Sequence, residues 1–342
     1  MNIDGDARRQ AALPIRFGGL GLRSVQKLAL PSYTSSLIKA ECLVSKIIKQ
    51  PKPNPSILLV AAQEAFKAQH PNVVPPEGDA RLKQRAWDEC VSKAEFSDLL
   101  DSANQIHRAQ LTAAAFPHSA AWVHALPSPK LGLHMDGETI RISVAQRLGS
   151  KVCETHKCRC GQLVDTLGHH GLSCRQSAGR ISRHVQLNEI IRRSFNTAGI
   201  PSILEPVGLD RSDGKRPDGL TLLPLSGGKS LCWDCTCSDT FAQSNLSQSA
   251  LTPAHAANKG EERKRELYKN LEDRHRFEPI AVETTGVLGK TSSKFIIEIG
   301  KRIRQRTGDK REVAWLRQRL SMAIMRGNSA SVLGTNKAIY SS

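Results

Sequence analysis

Apolar residues recur at three- and four-residue spacings along most of the first 116 positions, the period of a helix rather than of a strand. The spacing predicts helices over Ile57–Gln69, Gln84–Phe96 and Ser97–Phe116. Prolines at 51, 53, 55, 71, 75 and 76 bracket the first, and Pro117 ends the last. A further helical stretch near 140–149 puts Ile140, Val144 and Leu148 on one face, with Arg141 and Arg147 off it. After position 174 the pattern alternates between helical and strand periods. A helix is expected over Ser182–Thr197, with Val185, Ile190, Ile191 and Phe195 inward. Strands are expected over Ser202–Leu209, Pro217–Leu225 and Ser230–Thr236, joined by turns at Asp210–Lys215 and Ser226–Gly228. A helix over Thr252–Leu271, a strand over Phe277–Thr284 and a helix over Thr291–Ile303 follow. These elements predict an α+β chain: a helical N-terminal region, then a small mixed sheet bearing acids and flanked by helices.

At 342 residues the chain is long enough for more than one domain. The apolar run Ser56–Ala62 is far too short to span a bilayer, and no apolar segment of a secretory signal follows the N-terminal charges. A membrane partner is therefore not expected. The formal net charge of +17 favours a polyanionic partner, above all nucleic acid. It is densest near the end, where residues 301–326 hold Lys301, Arg302, Arg304, Arg306, Lys310, Arg311, Arg317, Arg319 and Arg326 against Asp309 and Glu312. That run reads either as a basic helix on a phosphate backbone or as an ordinary solvated helix. Gly18-Gly19-Leu20-Gly21 lacks the Gly-Lys-Ser/Thr end of a phosphate loop and reads as a structural turn.

Cysteine usage changes the picture. Cys153, Cys158, Cys160 and Cys174 lie close together, which points to metal rather than disulfides. Cys158-x-Cys160-x8-His169-x4-Cys174 supplies four zinc ligands across a short glycine-containing loop, with Cys153, His156 and His170 as competitors. Four protein ligands would make the zinc structural rather than catalytic. Downstream, Asp218 follows Lys215-Arg216-Pro217, and Asp234 falls on the next predicted strand. Two converging carboxylates can hold Mg2+, with water and phosphate oxygens completing the shell. Glu261, Lys264 and Tyr268 share one helical face, where Lys264 could stabilise charge on a phosphate. The surrounding Glu262, Arg263, Arg265, Glu266 and Lys269 equally suit a solvated helix, but the upstream acids favour a site.

Taken together, these motifs resemble the C-terminal region of a non-LTR retrotransposon reverse transcriptase polyprotein. That family carries a Cys-Cys-His-Cys zinc knuckle followed by a restriction-enzyme-like endonuclease of the PD-(D/E)xK kind. The matching positions are Cys158, Cys160, His169, Cys174, Arg216, Pro217, Asp218, Asp234, Lys264 and Tyr268, with Thr236 standing where that fold usually has its sheet lysine. Val123–Pro127 looks like the family's linker motif, and Phe17–Ser24 like the end of its polymerase thumb. The resemblance implies a helical thumb and linker remnant over 1–150, a knuckle over 151–178, an endonuclease over 179–306 and a basic helix and tail over 307–342. It implies structural Zn2+ and catalytic Mg2+, with Asp218, Asp234, Lys264 and Tyr268 at the catalytic site and Glu205 in support. Arg216, Lys301, Arg302, Arg304 and Arg306 would bind nucleic acid. The expected partners are target DNA, element RNA and the remainder of the polyprotein, in the nucleus after translation in the cytoplasm. The expected activity is nicking of target DNA to prime reverse transcription. No Ala-Asp-Asp triplet is present, so the chain carries no polymerase site of its own. The competing expectations are an inactive nucleic-acid-binding fragment and a free-standing zinc-binding regulator.

Overall fold

The computed structural model describes residues 5–50, 54–209, 214–225 and 227–336. Most of the Asp210–Lys215 turn, together with Ser226, Pro51 and Pro53, lies outside the described residues. The chain packs as two compact units, one over Gly5–Ala103 and one from Asn104 onward. No described helix is long and apolar enough to cross a membrane.

In the first unit, α1 (Gly5–Ala12) precedes α2 (Val25–Ile48), α3 (Ile57–Gln69) and α4 (Gln84–Ser102), which surround Ile38, Leu59, Phe66 and Trp87. Helix α3 begins where its sequence says it should, because the Ser56 side chain accepts the Leu59 amide at 3.3 Å. The glycine turn after α1 spends its amides internally. Gly18 donates to the Ile15 carbonyl, Gly19 to Pro14 and Gly21 to Leu13, so none of these three is left for a phosphate. The helical run expected to break at residue 96 instead continues to Ser102. Asn104 then starts α5 (Gln105–Ala115) by accepting the His107 amide at 3.0 Å.

The second unit is mixed α and β, in keeping with an α+β chain. Residues 104–150, grouped by sequence with the upstream helices, pack in this unit. After α5 and α6 (Gly137–Arg147) come the short strands β1 (His156–Lys157) and β2 (Leu163–Val164), then α7 (His169–Ser173) and α8 (Ala178–Thr197). Strands β3 (Ser202–Leu204), β4 (Gly219–Thr221) and β5 (Leu231–Ser238) lead to α9 (Gln243–Ser249) and α10 (His255–Leu267). Strand β6 (Arg276–Glu283), α11 (Lys290–Thr307) and α12 (Glu312–Leu333) complete the unit. The sheet runs β3-β4-β5-β6, antiparallel except for the parallel β5–β6 pair. Strand β5 alternates as a covered strand should. Trp233 and Cys235 join a core with Ile191, Phe195, Phe295 and Ile299, while Cys232 packs with Tyr268 and Phe277.

Three expectations are corrected here. Strands β3 and β4 are shorter than their sequence pattern, since Glu205 takes a left-handed backbone (φ 48°) and Pro217 has no amide for a ladder. Helix α6 buries Ile142 and Ala145 and leaves Ile140 exposed, and Arg147, expected outside, is buried. On α8 Leu187 is buried in place of Val185.

The terminal basic run is not one solvated helix. Gly308 ends α11, and α12 lies in the core with Leu316, Leu320 and Ile324 buried. Its arginines turn back on the protein. Arg317 donates to His118 Nε2 at 2.8 Å, Arg326 to the Gly132 carbonyl at 2.8 Å, and Arg319 faces Glu312. Helices α8 and α12 touch closely at Gly327, where a Cβ would stand 1.8 Å from Arg183 Cγ. Arg183 is 2 % exposed. Its guanidinium donates to Asn328 Oδ1 at 2.6 Å and to the Leu172 carbonyl at 2.7 Å. Asn328→Ala should therefore leave a buried guanidinium short of an acceptor and cost about 2–3 kcal/mol in chemical unfolding. A loss below about 0.5 kcal/mol, the level of an ordinary surface change, would show that the bond does not hold the two helices.

Candidate functional site

The cysteine–histidine cluster is built by a hairpin and a short helix. Strands β1 and β2 pair antiparallel, and the turn between them carries Cys158 and Cys160. Helix α7 then brings His170, with Cys174 just past its end. The ligand atoms of Cys158, Cys160, His170 and Cys174 all lie within 4.8 Å of one another. Cys158 and Cys174 sulfurs are 3.8 Å apart, and Cys160 Sγ is 3.2 Å from His170 Nε2. Tetrahedral zinc with bonds of about 2.3 Å sets its sulfurs about 3.8 Å apart, so the donor set fits. These four residues could hold a metal ion such as zinc.

His169, the histidine expected from spacing, is not in that cluster. Consecutive helical residues point about 100° apart, so only one of the two can face the thiols. His169 instead stacks on Phe241 at 3.9 Å and 5°, and burial pushes its imidazole down to about 4. The other competitors are engaged elsewhere. The Cys153 thiol donates to the Asp165 carbonyl, and His156 bonds Thr335 and the Glu154 carbonyl.

The second site lies where the short strand β4 leaves β5. Gly219 pairs with Trp233, and its missing side chain makes room for the indole, which a Cβ would meet at 2.0 Å. One residue beyond the paired register, Asp218 falls opposite Asp234, as cross-strand neighbours do. Pro217 cannot extend the ladder, and the free Cys235 amide donates to Asp218 Oδ2 at 2.6 Å. Asp234 is 3 % exposed, with Lys264 Nζ 2.6 Å from its Oδ1. Burial and the charge of Asp218 push Asp234 above the usual carboxylate range, against the pull of Lys264. Asp218 moves the other way. Burial raises it, but the hydrogen bond and charge of His184 and the bond from the Cys235 amide outweigh that and hold it low. Tyr268 is buried, its hydroxyl donating to the Arg216 carbonyl at 2.9 Å beside Asp234.

The remaining expected residues are dispersed. Arg216 pairs with exposed Glu205 at 2.5 Å, so Glu205 stands outside the acid pair it was expected to support. Lys301, Arg304 and Arg306 are exposed on α11, and Arg302 is held by Glu298 at 3.2 Å. Glu261 shares a helix with Lys264 but has a different task. It is buried and accepts the Thr291 and Ser292 amides at 3.0 and 2.7 Å, closing the start of α11. Glu283 does the same for Ala256 and Ala257 in α10. Two polar residues on α8 escaped the sequence reading. His184 Nε2 lies 3.0 Å from Asp218 Oδ2, and Asn188 Oδ1 accepts the Trp233 indole N–H at 3.0 Å. Their four-residue spacing on one helix was the available signal.

Among the described residues, this cluster is the one group of three or more metal-type donors within ligand range. The Asp218–Asp234 pair offers two carboxylates, the number Mg2+ takes from protein when phosphate oxygens and waters complete its octahedron. No protein-family model matches the chain, and no curated protein matches it significantly.

His170→Ala should lose zinc, whereas His169→Ala should keep it. Metal analysis after gel filtration checks this, with about one zinc per chain expected for wild type. Equal zinc in the His170 variant would remove that residue from the ligand set.

Proposed function

We propose that the chain is a metal-dependent DNA endonuclease of the restriction-enzyme-like kind carried by non-LTR retrotransposons, with a zinc knuckle beside its nuclease core. The observation that carries the reading is Asp218 opposite Asp234 across β4 and β5, with Lys264 Nζ 2.6 Å from Asp234. The order of elements also supports it: a helix, three antiparallel strands, two helices and a parallel strand. A small mixed sheet flanked by helices is also what the family resemblance implies for such a core.

In this reading Asp218 and Asp234 would hold Mg2+, with phosphate oxygens and waters completing its shell. The bound ion supplies positive charge at the scissile phosphate and an acidified water. Lys264 neutralises charge that builds on the phosphate in the transition state. Tyr268 holds the Arg216 carbonyl and keeps the approach to Asp234 in shape. Arg216 and the cations of α11, Lys301, Arg302, Arg304 and Arg306, attract the backbone and give salt-dependent affinity. The knuckle packs Leu172 against Ile142, Ala145 and Val332 and thereby braces the core. The nick would prime reverse transcription by the polymerase part of the full-length polyprotein, with target DNA and element RNA as partners in the nucleus.

The test is plasmid nicking with Mg2+ and with EDTA. Wild type should relax supercoiled plasmid only with metal, Asp218→Ala should not cut, and both should bind DNA alike. Lys264→Ala should lose about 10²–10³-fold in rate, as removal of a transition-state donor does. Salt-sensitive DNA binding with no cleavage under any metal would leave a nucleic-acid-binding fragment instead.

A further inference from the structure

We propose that His184 is a positioning residue of the acid pair: its imidazole N–H holds Asp218 Oδ2 and leaves the other carboxylate oxygen to a divalent cation. This rests on the nuclease reading above. Asp218 Oδ2 lies 3.0 Å from His184 Nε2 and 2.6 Å from the Cys235 amide nitrogen. With two donors on one oxygen, a hard cation is directed to Oδ1. The ring tautomer follows from the next partner along α8. Trp233 is fully buried, and its indole N–H has a single acceptor, Asn188 Oδ1 at 3.0 Å. That bond fixes the amide with its NH2 group toward His184, where Nδ2 lies 3.5 Å from Nδ1. Nδ1 then accepts, so the ring proton sits on Nε2 and points at Asp218. A chain of three side chains thus runs from the core indole to the acid. Hydrogen bonds of this kind around a ligating carboxylate fix its rotamer, and losing one costs about 10–100-fold in metal affinity.

His184 is half exposed, so truncating it removes little core packing. The full-length chain is titrated with Mn2+ alone, reading free Mn2+ by its paramagnetic resonance signal, and plasmid nicking is run beside it. His184→Ala should weaken Mn2+ binding about tenfold and lower kcat at fixed metal, while KM for plasmid stays near wild type. His184→Gln keeps an amide N–H donor and should recover most of both. Near-wild-type Mn2+ affinity in the Ala variant would overturn the proposal and leave the nuclease reading standing. So would equal losses in the Ala and Gln variants. A wild-type chain that neither binds Mn2+ nor nicks would overturn both.

Discussion

A guanidinium with almost no access to water sets the frame of the second unit. Arg183 must find its acceptors inside the protein, and its two terminal nitrogens do so on two other elements, at Asn328 Oδ1 on α12 and the Leu172 carbonyl on α7. Asn328 passes the connection on to the Thr284 carbonyl at the end of β6, 2.6 Å away. A buried charge has no tolerance for a lost partner, so α7, α8, α12 and the end of β6 cannot shift independently. The next residue along α8, His184, then emerges beside Asp218. The same helix therefore joins the cysteine–histidine cluster to the acid pair, with one residue turned inward and its neighbour turned toward the site.

Buried carboxylates serve two ends in this unit, and only their partners tell them apart. Glu261 and Glu283 accept backbone amides at the starts of α11 and α10, where the positive helix end and free N–H groups meet a negative charge. Their tasks are finished within the protein. Asp234 faces the Lys264 ammonium with the Tyr268 hydroxyl beside it, and Asp218 faces an imidazole and a backbone amide. A second carboxylate across the strand raises the cost of charge on Asp234, which a cation between the two would relieve. The geometry separates acids that close helices from acids that can receive a ligand, although all four lie within 66 residues of one another.

Much of the element order could be read from local pattern, because periodicity and caps are local. Helix α3 has its predicted bounds for that reason, and α8, β5, α10, β6 and α11 fall near theirs. Boundaries that failed depended on distant partners or on single backbone states. Strand β4 is limited by which residues of β5 it can pair, and β3 ends at a left-handed Glu205. The burial of α12 was hidden because its apolar positions go round the helix rather than along one face. A helix packed on several sides needs no polar stripe, and its arginines reach carbonyls and a histidine instead of solvent.

The sequence by itself determined the chemistry on offer: a compact set of thiols and imidazoles, a Pro-Asp-Gly followed by a second acid, and a large positive charge. It also settled that the glycines before Arg23 form a turn, since they lack what a phosphate loop requires. Only the tertiary structure decided which members of each set meet. His170 rather than His169 faces the thiols, because a helical turn can aim one of two adjacent rings at a point. Lys264 reaches Asp234 while Glu261, three residues earlier, is drawn to another helix. His184 joins Asp218 across 34 residues of chain, a contact no local spacing encodes. Residue types follow from the gene, but convergence depends on register, packing and the direction of each side chain, and these exist only in the folded chain.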